Sequence, residues 1–380
     1  MKVGGLLFGL LGLQLAAAAL IPPNDPNIQT TGRSVANPDG SVNFDHPGFW
    51  ATIKVSNTSR VSLQLSVKNV VGNRLWVFVD GLQTSTVIDT HDLVTDEVYT
   101  LVLAQDLTLD AEHTVSFVKI TEAQFNDINP APNYMTFRGF VVDDTSAGAL
   151  PLPPLPSRKI EFIGDSITSG FADLCHTVDE TNGPYTDQSF ALAYPTVTCD
   201  ALNASCHTAA WSGYGLVRNC CGGTTLMPEV YGRSLATVSG SVWDFSSWIP
   251  DAVVINLGDN DKLNAFWRGD VEKQYVETYT QLVVDIYNRY RNDDHTKPKF
   301  FLACGPCTAG YCRYVENVVS ALNDEHGIEA YYLNFGIILS KNRCSGHPSA
   351  EDQRDKLGAR TIELVGEKMG WTTAETVAAE

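Results

Sequence analysis

Arg158-Lys159-Ile160-Glu161-Phe162-Ile163-Gly164-Asp165-Ser166-Ile167-Thr168 is the stretch that decides the fold. Its short run Ile160 to Ile163 reads as a buried strand, and the strand ends in Gly164-Asp165-Ser166. Gly164 allows the backbone to turn tightly, and the Asp165 side chain can hydrogen-bond the loop that holds the serine. A serine on the turn leaving a buried strand is held rigidly at a sheet edge, with hydroxyl and amide facing outward. A nucleophile needs such a fixed, accessible place. Gly, Asp and Ser are also ordinary turn residues, so the tripeptide takes its meaning from partners elsewhere in the chain.

Three later segments supply those partners. Val253-Val254-Ile255-Asn256-Leu257 reads as a second buried strand running into Gly258-Asp259-Asn260-Asp261, where the Asn260 amide is a candidate oxyanion donor. Ala209-Ala210-Trp211-Ser212-Gly213 offers a small-residue turn with the Gly213 amide as a second donor. Gly346-His347-Pro348 places a histidine in a loop before the helical stretch Ala350 to Met369. The ordered set Ser166, Gly213, Asn260, His347 resembles the SGNH (GDSL-like) hydrolase superfamily. Together with Ser212-Gly213-Tyr214-Gly215-Leu216-Val217-Arg218-Asn219 and Met227-Pro228, the stretch from Arg158 to Thr168 resembles carbohydrate esterase family two. That resemblance covers nearly the whole mature chain. It implies an N-terminal β-sandwich, a C-terminal SGNH domain, and removal of acetyl groups from plant polysaccharide.

The rest of the chain divides accordingly. Met1 to Ala19 has one lysine, an apolar run broken by Gln14 and a small-residue end, which reads as a secretory signal peptide (1–19) and is too short for a membrane anchor. Residues 20–149 are expected to form an all-β jelly-roll sandwich. Val61 to Lys68 alternates apolar and polar, Leu75 to Val79 ends at the turn dipeptide Asp80-Gly81, and Thr114 to Ile120 alternates again. Residues 150–157, Leu-Pro-Leu-Pro-Pro-Leu-Pro-Ser, form a semi-rigid linker. From 158 to 380 the texture is α/β. Strands Arg158 to Ile163, Ala252 to Leu257, Lys299 to Ala303 and Tyr331 to Leu333 alternate with helices Tyr194 to Asn203, Glu272 to Tyr290 and Arg313 to Glu325. This predicts a three-layer fold with a parallel sheet. Sites in such sheets lie beyond the carboxyl ends of strands, where Ser166 and Asn260 fall.

The 26 Lys and Arg against 44 Asp and Glu give a net charge of −18, which argues against nucleic acid or anionic membrane as partners. A neutral acetylated polysaccharide or oligosaccharide suits that charge, and a monomer is expected. All nine cysteines lie between Cys175 and Cys344, and an exported chain would pair most of them, leaving one over. Cys199 with Cys206, and two links among Cys220, Cys221, Cys304, Cys307, Cys312 and Cys344, are compatible with the spacing. Asn57-Thr58-Ser59 and Asn203-Ala204-Ser205 are glycosylation sequons.

The resemblance assigns Ser166 as nucleophile, His347 as base, and the Ser166 and Gly213 amides with the Asn260 side chain as oxyanion donors, with no metal or organic cofactor. One departure stands out. The family usually carries an aspartate two or three residues before the histidine, and Ser345 and Cys344 occupy those positions here. His347 is therefore expected to act in a dyad, held by a main-chain carbonyl; Asp259 and Asp261 are candidate distant carboxylates but are expected rather to brace their own loop. Trp211, Tyr214 and Trp267 are candidate sugar-stacking residues, and Phe171 to Ser189 is expected as a loop beside the nucleophile. His176 and His207 are not expected to act as the base. Two other classes fit the same fold: a carbohydrate-binding protein without catalysis, and a general extracellular carboxylesterase or lipase. No apolar lid stretch favours the lipase.

Overall fold

The computed structural model describes residues 18–69, 72–124, 131–144, 147–175, 185–263, 271–290, 297–307, 310–338, 344 and 346–373. The signal-peptide reading falls almost wholly on residues outside this set, as do Trp267 and His176. Two antiparallel six-stranded sheets face each other in the N-terminal part, a jelly-roll-like sandwich. One runs Val35–Ala36, Val42–Phe44, Tyr134–Val142, Val61–Lys68, Val98–Ala104, with Ala19–Ile21 added on Tyr134–Val142. The other runs Ala149–Leu150, Trp50–Val55, His113–Lys119, Arg74–Val79, Leu82–Asp89, with Gln29–Thr31 added on Trp50–Val55. Phe44, Phe49, Phe117, Phe137 and Phe140 fill the space between them. Asp80 and Gly81 both take positive φ, 52° and 78°, as the tight hairpin turn between Arg74–Val79 and Leu82–Asp89 requires. Val61–Lys68 is more buried than its alternation predicts. It is a central strand, and the Arg138 guanidinium reaches across its outer face to Ser66 Oγ at 3.2 Å.

The second unit is a five-stranded parallel sheet in the order Ala204–Ala210, Arg158–Gly164, Ala252–Asn256, Lys299–Cys304, Ala330–Asn334. Helices cover both faces. Tyr194–Leu202 and the C-terminal helical run that includes Ala359–Met369 pack on Ile160, Phe162 and Val254. Met227–Tyr231, Glu272–Arg289 and Cys312–Asp324 pack on Ile163, Val253 and Ile255. The edge strand Ala204–Ala210 corrects the sequence reading, which took Ala209 and Ala210 as part of a turn. Its small and polar residues include a single β-branched side chain, Thr208, and it becomes a strand by pairing along the whole of Arg158–Gly164.

The two units meet through buried polar contacts. Arg33, from the sandwich, and Glu161, inside the strand Arg158–Gly164, form a 2.8 Å ion pair with both side chains fully buried. Tyr231 and Tyr290 hydroxyls donate to the other Glu161 oxygen at 2.9 and 2.7 Å. Burial disfavours the Arg33 charge, yet facing Glu161 holds it above its ordinary pKa. Asp45 accepts from the Ala236 and Thr237 amides and the Thr237 hydroxyl, each at 2.9 Å. Four disulfides close the second unit: Cys175–Cys344, Cys199–Cys206, Cys220–Cys221 and Cys304–Cys312. Cys199–Cys206 matches the expected pairing. Cys175, for which the spacing offered no partner, takes Cys344, and Cys307 stands outside the four bridges.

Candidate active site

Ser166 opens a one-turn helix, Ser166–Ser169, directly beyond the strand Arg158–Gly164. Asp165 caps that turn, its Oδ1 accepting from the Ile167 amide at 3.0 Å. Gly164 is required by close approach: a Cβ there would stand 2.0 Å from Thr168 Oγ1. His347 arrives from the far end of the chain. Cys344 ties its loop to Cys175, the His347 amide donates to Cys344 O at 2.8 Å, and Ser349 with Asp352 forms a capping box at the start of the following helix. Gln353 docks that helix on the turn Ser166–Ser169, donating to Ile167 O at 3.0 Å and accepting from the Tyr194 amide at 3.1 Å. The result brings His347 Nε2 to 2.8 Å from Ser166 Oγ across 181 residues of sequence. The Phe171 ring packs on the imidazole at 4.7 Å.

Gly213 sits in the loop after Ala204–Ala210 with φ +84°. Its carbonyl accepts from the Cys220 amide at 3.0 Å, while neither its own N–H nor that of Ser166 has a protein acceptor among the described residues. Asn260 lies close by, but both its amide hydrogens are engaged, on Asp165 Oδ2 at 2.8 Å and Tyr214 O at 2.9 Å. Asp261 does not brace its own loop, as expected, but the Gly213 side of the site. Its carboxylate accepts from the Leu216, Val217 and Arg218 amides at 3.0, 2.8 and 3.1 Å. Asp259 accepts from the Cys307 amide at 3.3 Å. Burial pushes the Asp165 carboxyl well above the usual range, and nearby Asp259 adds to the shift.

Trp211 is buried and its ring face is covered by Tyr214 at 4.5 Å and 13°, so Tyr214 is the more exposed of the pair. An open cleft of about 770 Å³ beside this loop is lined by Glu122, Gln124, Phe171, Ser212, Tyr214 and Thr224, among others. His207 is a core residue: its ring stacks on Trp248 at 3.8 Å, and burial pushes its pKa down to about 3. Among the described residues no group of His, Cys, Asp and Glu could hold a metal ion.

A family model described as GDSL-like Lipase/Acylhydrolase matches residues 160–354, the span that holds Ser166, Gly213, Asn260 and His347. The chain belongs to this family. Among this GDSL-family chain's curated relatives, a cellulase/esterase from Acetivibrio thermocellus is 33% identical over 284 residues, covering 72% of this chain and 32% of the relative. The chain thus spans about a third of that larger protein. An acetylxylan esterase/glucomannan deacetylase from Cellvibrio japonicus is 28% identical over 369 residues, covering 94% of this chain and 93% of its own. A family two carbohydrate esterase from Clostridium thermocellum, solved in complex with cellohexaose, superposes with a TM-score of 0.78 at 26% identity, covering 90% of this chain and 99% of that one.

Sequence reasoning missed several residues that build the site. Gln353 and Cys175 act through partners 159 to 186 residues away, so nothing local marks them. Glu122 comes from the sandwich, where no motif points to the catalytic loop. Asp261 was legible as a neighbour of Asn260 but not for the amides it holds.

Proposed function

We propose that this chain is a secreted, monomeric serine esterase that removes acetyl groups from plant cell-wall polysaccharide, xylan or glucomannan. The observation that carries the reading is the 2.8 Å contact between His347 Nε2 and Ser166 Oγ beside two amides, of Ser166 and Gly213, with no protein acceptor among the described residues. Ser166 Oγ attacks the acetyl carbonyl as His347 takes its proton, and His347 returns that proton to the departing sugar oxygen. Water then repeats the sequence on the acetyl-enzyme and releases acetate. The two amides hold the tetrahedral oxyanion, and Asn260 joins them by turning one amide hydrogen from Tyr214 O to the oxyanion. Each such donor contributes roughly 3 kcal/mol to the transition state.

No carboxylate precedes His347 at the family's usual places, and Cys344 is committed to a disulfide. A main-chain carbonyl therefore fixes the outer imidazole nitrogen, and Ser166 with His347 works as a dyad. Tyr214 supplies the ring face for a pyranose at the cleft; Trp267 remains a candidate from the sequence alone. Among the described residues no helix is long and apolar enough to cross a membrane. The cleft sets aromatic rings beside polar groups, Phe171, Trp211 and Tyr214 with Gln124, Ser212 and Thr224, a lining that suits a sugar ester better than a long acyl chain. Rates on acetyl, butyryl and octanoyl aryl esters test this: the acetyl ester should turn over fastest, and faster turnover of the octanoyl ester would count against the proposal.

A further inference from the structure

The segment that leaves the sandwich strand His113–Lys119 enters the second unit, where the Glu122 side chain is buried. Glu122 Oε2 accepts from the Ser212 amide at 2.6 Å and from the Ser169 hydroxyl at 3.2 Å. Gln188 donates to Oε1 at 2.9 Å and accepts the Glu122 N–H at 3.0 Å. The Lys119 ammonium donates to the Glu122 carbonyl at 2.6 Å. The carboxylate is thus clamped at both oxygens and at its own backbone.

Ser212 immediately precedes Gly213. On one side, the Trp211–Ser212 peptide is pinned by Glu122. On the other, the Gly213 carbonyl is pinned by the Cys220 amide at 3.0 Å. The peptide between these two fixed units presents the Gly213 N–H. Ser169, the second donor on Glu122 Oε2, closes the nucleophile's own turn, its hydroxyl lying 3.2 Å from Ser166 O. One carboxylate therefore joins the turn that carries the nucleophile to the loop that carries the oxyanion donor, and it is delivered by the sandwich.

We infer that Glu122 is a positioning residue for ester hydrolysis, setting the Gly213 N–H relative to Ser166, so that the sandwich is part of the catalytic apparatus. This rests on the esterase reading above. An attacking oxygen and its oxyanion donors must be aligned to fractions of an ångström, and a shift of about 1 Å can cost roughly a hundredfold in rate. Such a residue acts on the transition state rather than on ground-state binding.

The test compares the full chain with Glu122→Gln and Gln188→Ala, using 4-nitrophenyl acetate for kcat and KM, an aryl alkylphosphonate for the rate of Ser166 phosphonylation, and urea unfolding for stability. Glu122→Gln offers only one acceptor oxygen where three donors converge. It should lower kcat and phosphonylation by about ten- to a hundredfold, with KM within about threefold. Gln188→Ala leaves the carboxylate in place but unclamped and should lower kcat by about threefold. Folded Glu122→Gln with wild-type kcat would overturn the inference and show a purely structural anchor. If that variant does not fold, an unchanged kcat and phosphonylation rate in Gln188→Ala overturns it instead. A wild-type chain inactive on the aryl acetate would overturn the esterase reading and this inference together, so the two failures are distinguishable.

Discussion

Replacing Arg33 by methionine should destabilise the chain by about 3–5 kcal/mol, even though Arg33 lies far from Ser166 in sequence. The guanidinium makes three hydrogen bonds, to Glu161 Oε1 at 2.8 Å, to Arg233 O at 3.1 Å and to Tyr231 O. Methionine fills most of the apolar stem volume, so little of the cost comes from a cavity. Loss of the two bonds to carbonyls accounts for about 2 kcal/mol. The remainder arises because Glu161, fully buried within the parallel sheet, keeps only the Tyr231 and Tyr290 hydroxyls. If that reasoning holds, neutralising the stranded partner restores the part of the loss that the two carbonyl bonds do not account for. Arg33→Met with Glu161→Gln should therefore be more stable than Arg33→Met alone and lie about 2 kcal/mol below wild type, because replacing a whole buried pair is less costly than breaking one. Urea unfolding followed by tryptophan fluorescence compares wild type, Arg33→Met and the double variant. An Arg33→Met variant within about 1 kcal/mol of wild type, or a double variant no more stable than the single one, would refute the argument.

Asp261→Asn should destabilise by about 2 kcal/mol and lower kcat, because one amide oxygen cannot replace two carboxylate oxygens that accept from Leu216, Val217 and Arg218; urea unfolding with a change under about 0.5 kcal/mol would contradict it. Asp173 gives a pH signature. Burial pushes its carboxyl well above the usual range, and its Oδ2 has no hydrogen-bond partner among the described residues. A carboxyl whose folded pKa exceeds its unfolded value, near 4, binds protons more tightly when folded, so its contribution weakens as pH rises from about 4 toward the folded pKa. The stability of Asp173→Asn relative to wild type should therefore grow from pH 5 to pH 8, by at most about 1.4 kcal/mol per pH unit. Thermal unfolding across that range would show a constant difference if the idea is wrong.

Much of the catalytic unit was legible because its central strands are buried on both faces. The Ile and Phe of Ile160–Ile163, interrupted only by Glu161, and the run Val253–Ile255 mark buried strands whatever their neighbours. The order Ser166, Gly213, Asn260, His347 marked candidates that sit after strands or before a helix, and the structure brings Ser166 and His347 into contact. What escaped the sequence depends on distant partners. Ala204–Ala210 is a strand because Arg158–Gly164 offers it a ladder, not because its Ser, Cys, His and Thr prefer extended backbone. Glu161 stood inside an apolar run, a local sign that a buried partner must exist, but Arg33 lies 128 residues earlier. Glu122 and Ser212 are 90 residues apart, and neither belongs to a pattern that names the other.

The central claim is that Ser166, activated by His347, deacetylates a plant cell-wall glycan. Acetate release from acetylated xylan and acetylated glucomannan, measured for the full chain and for Ser166→Ala, tests it most directly. The hydroxyl stands at a strand's end and contributes little packing, so the variant should fold as wild type does. The account predicts steady acetate release by the wild-type chain and none above background from folded Ser166→Ala. Release that persists in the variant would remove Ser166 as nucleophile, and a folded wild-type chain that releases no acetate from either glycan would contradict the deacetylase itself.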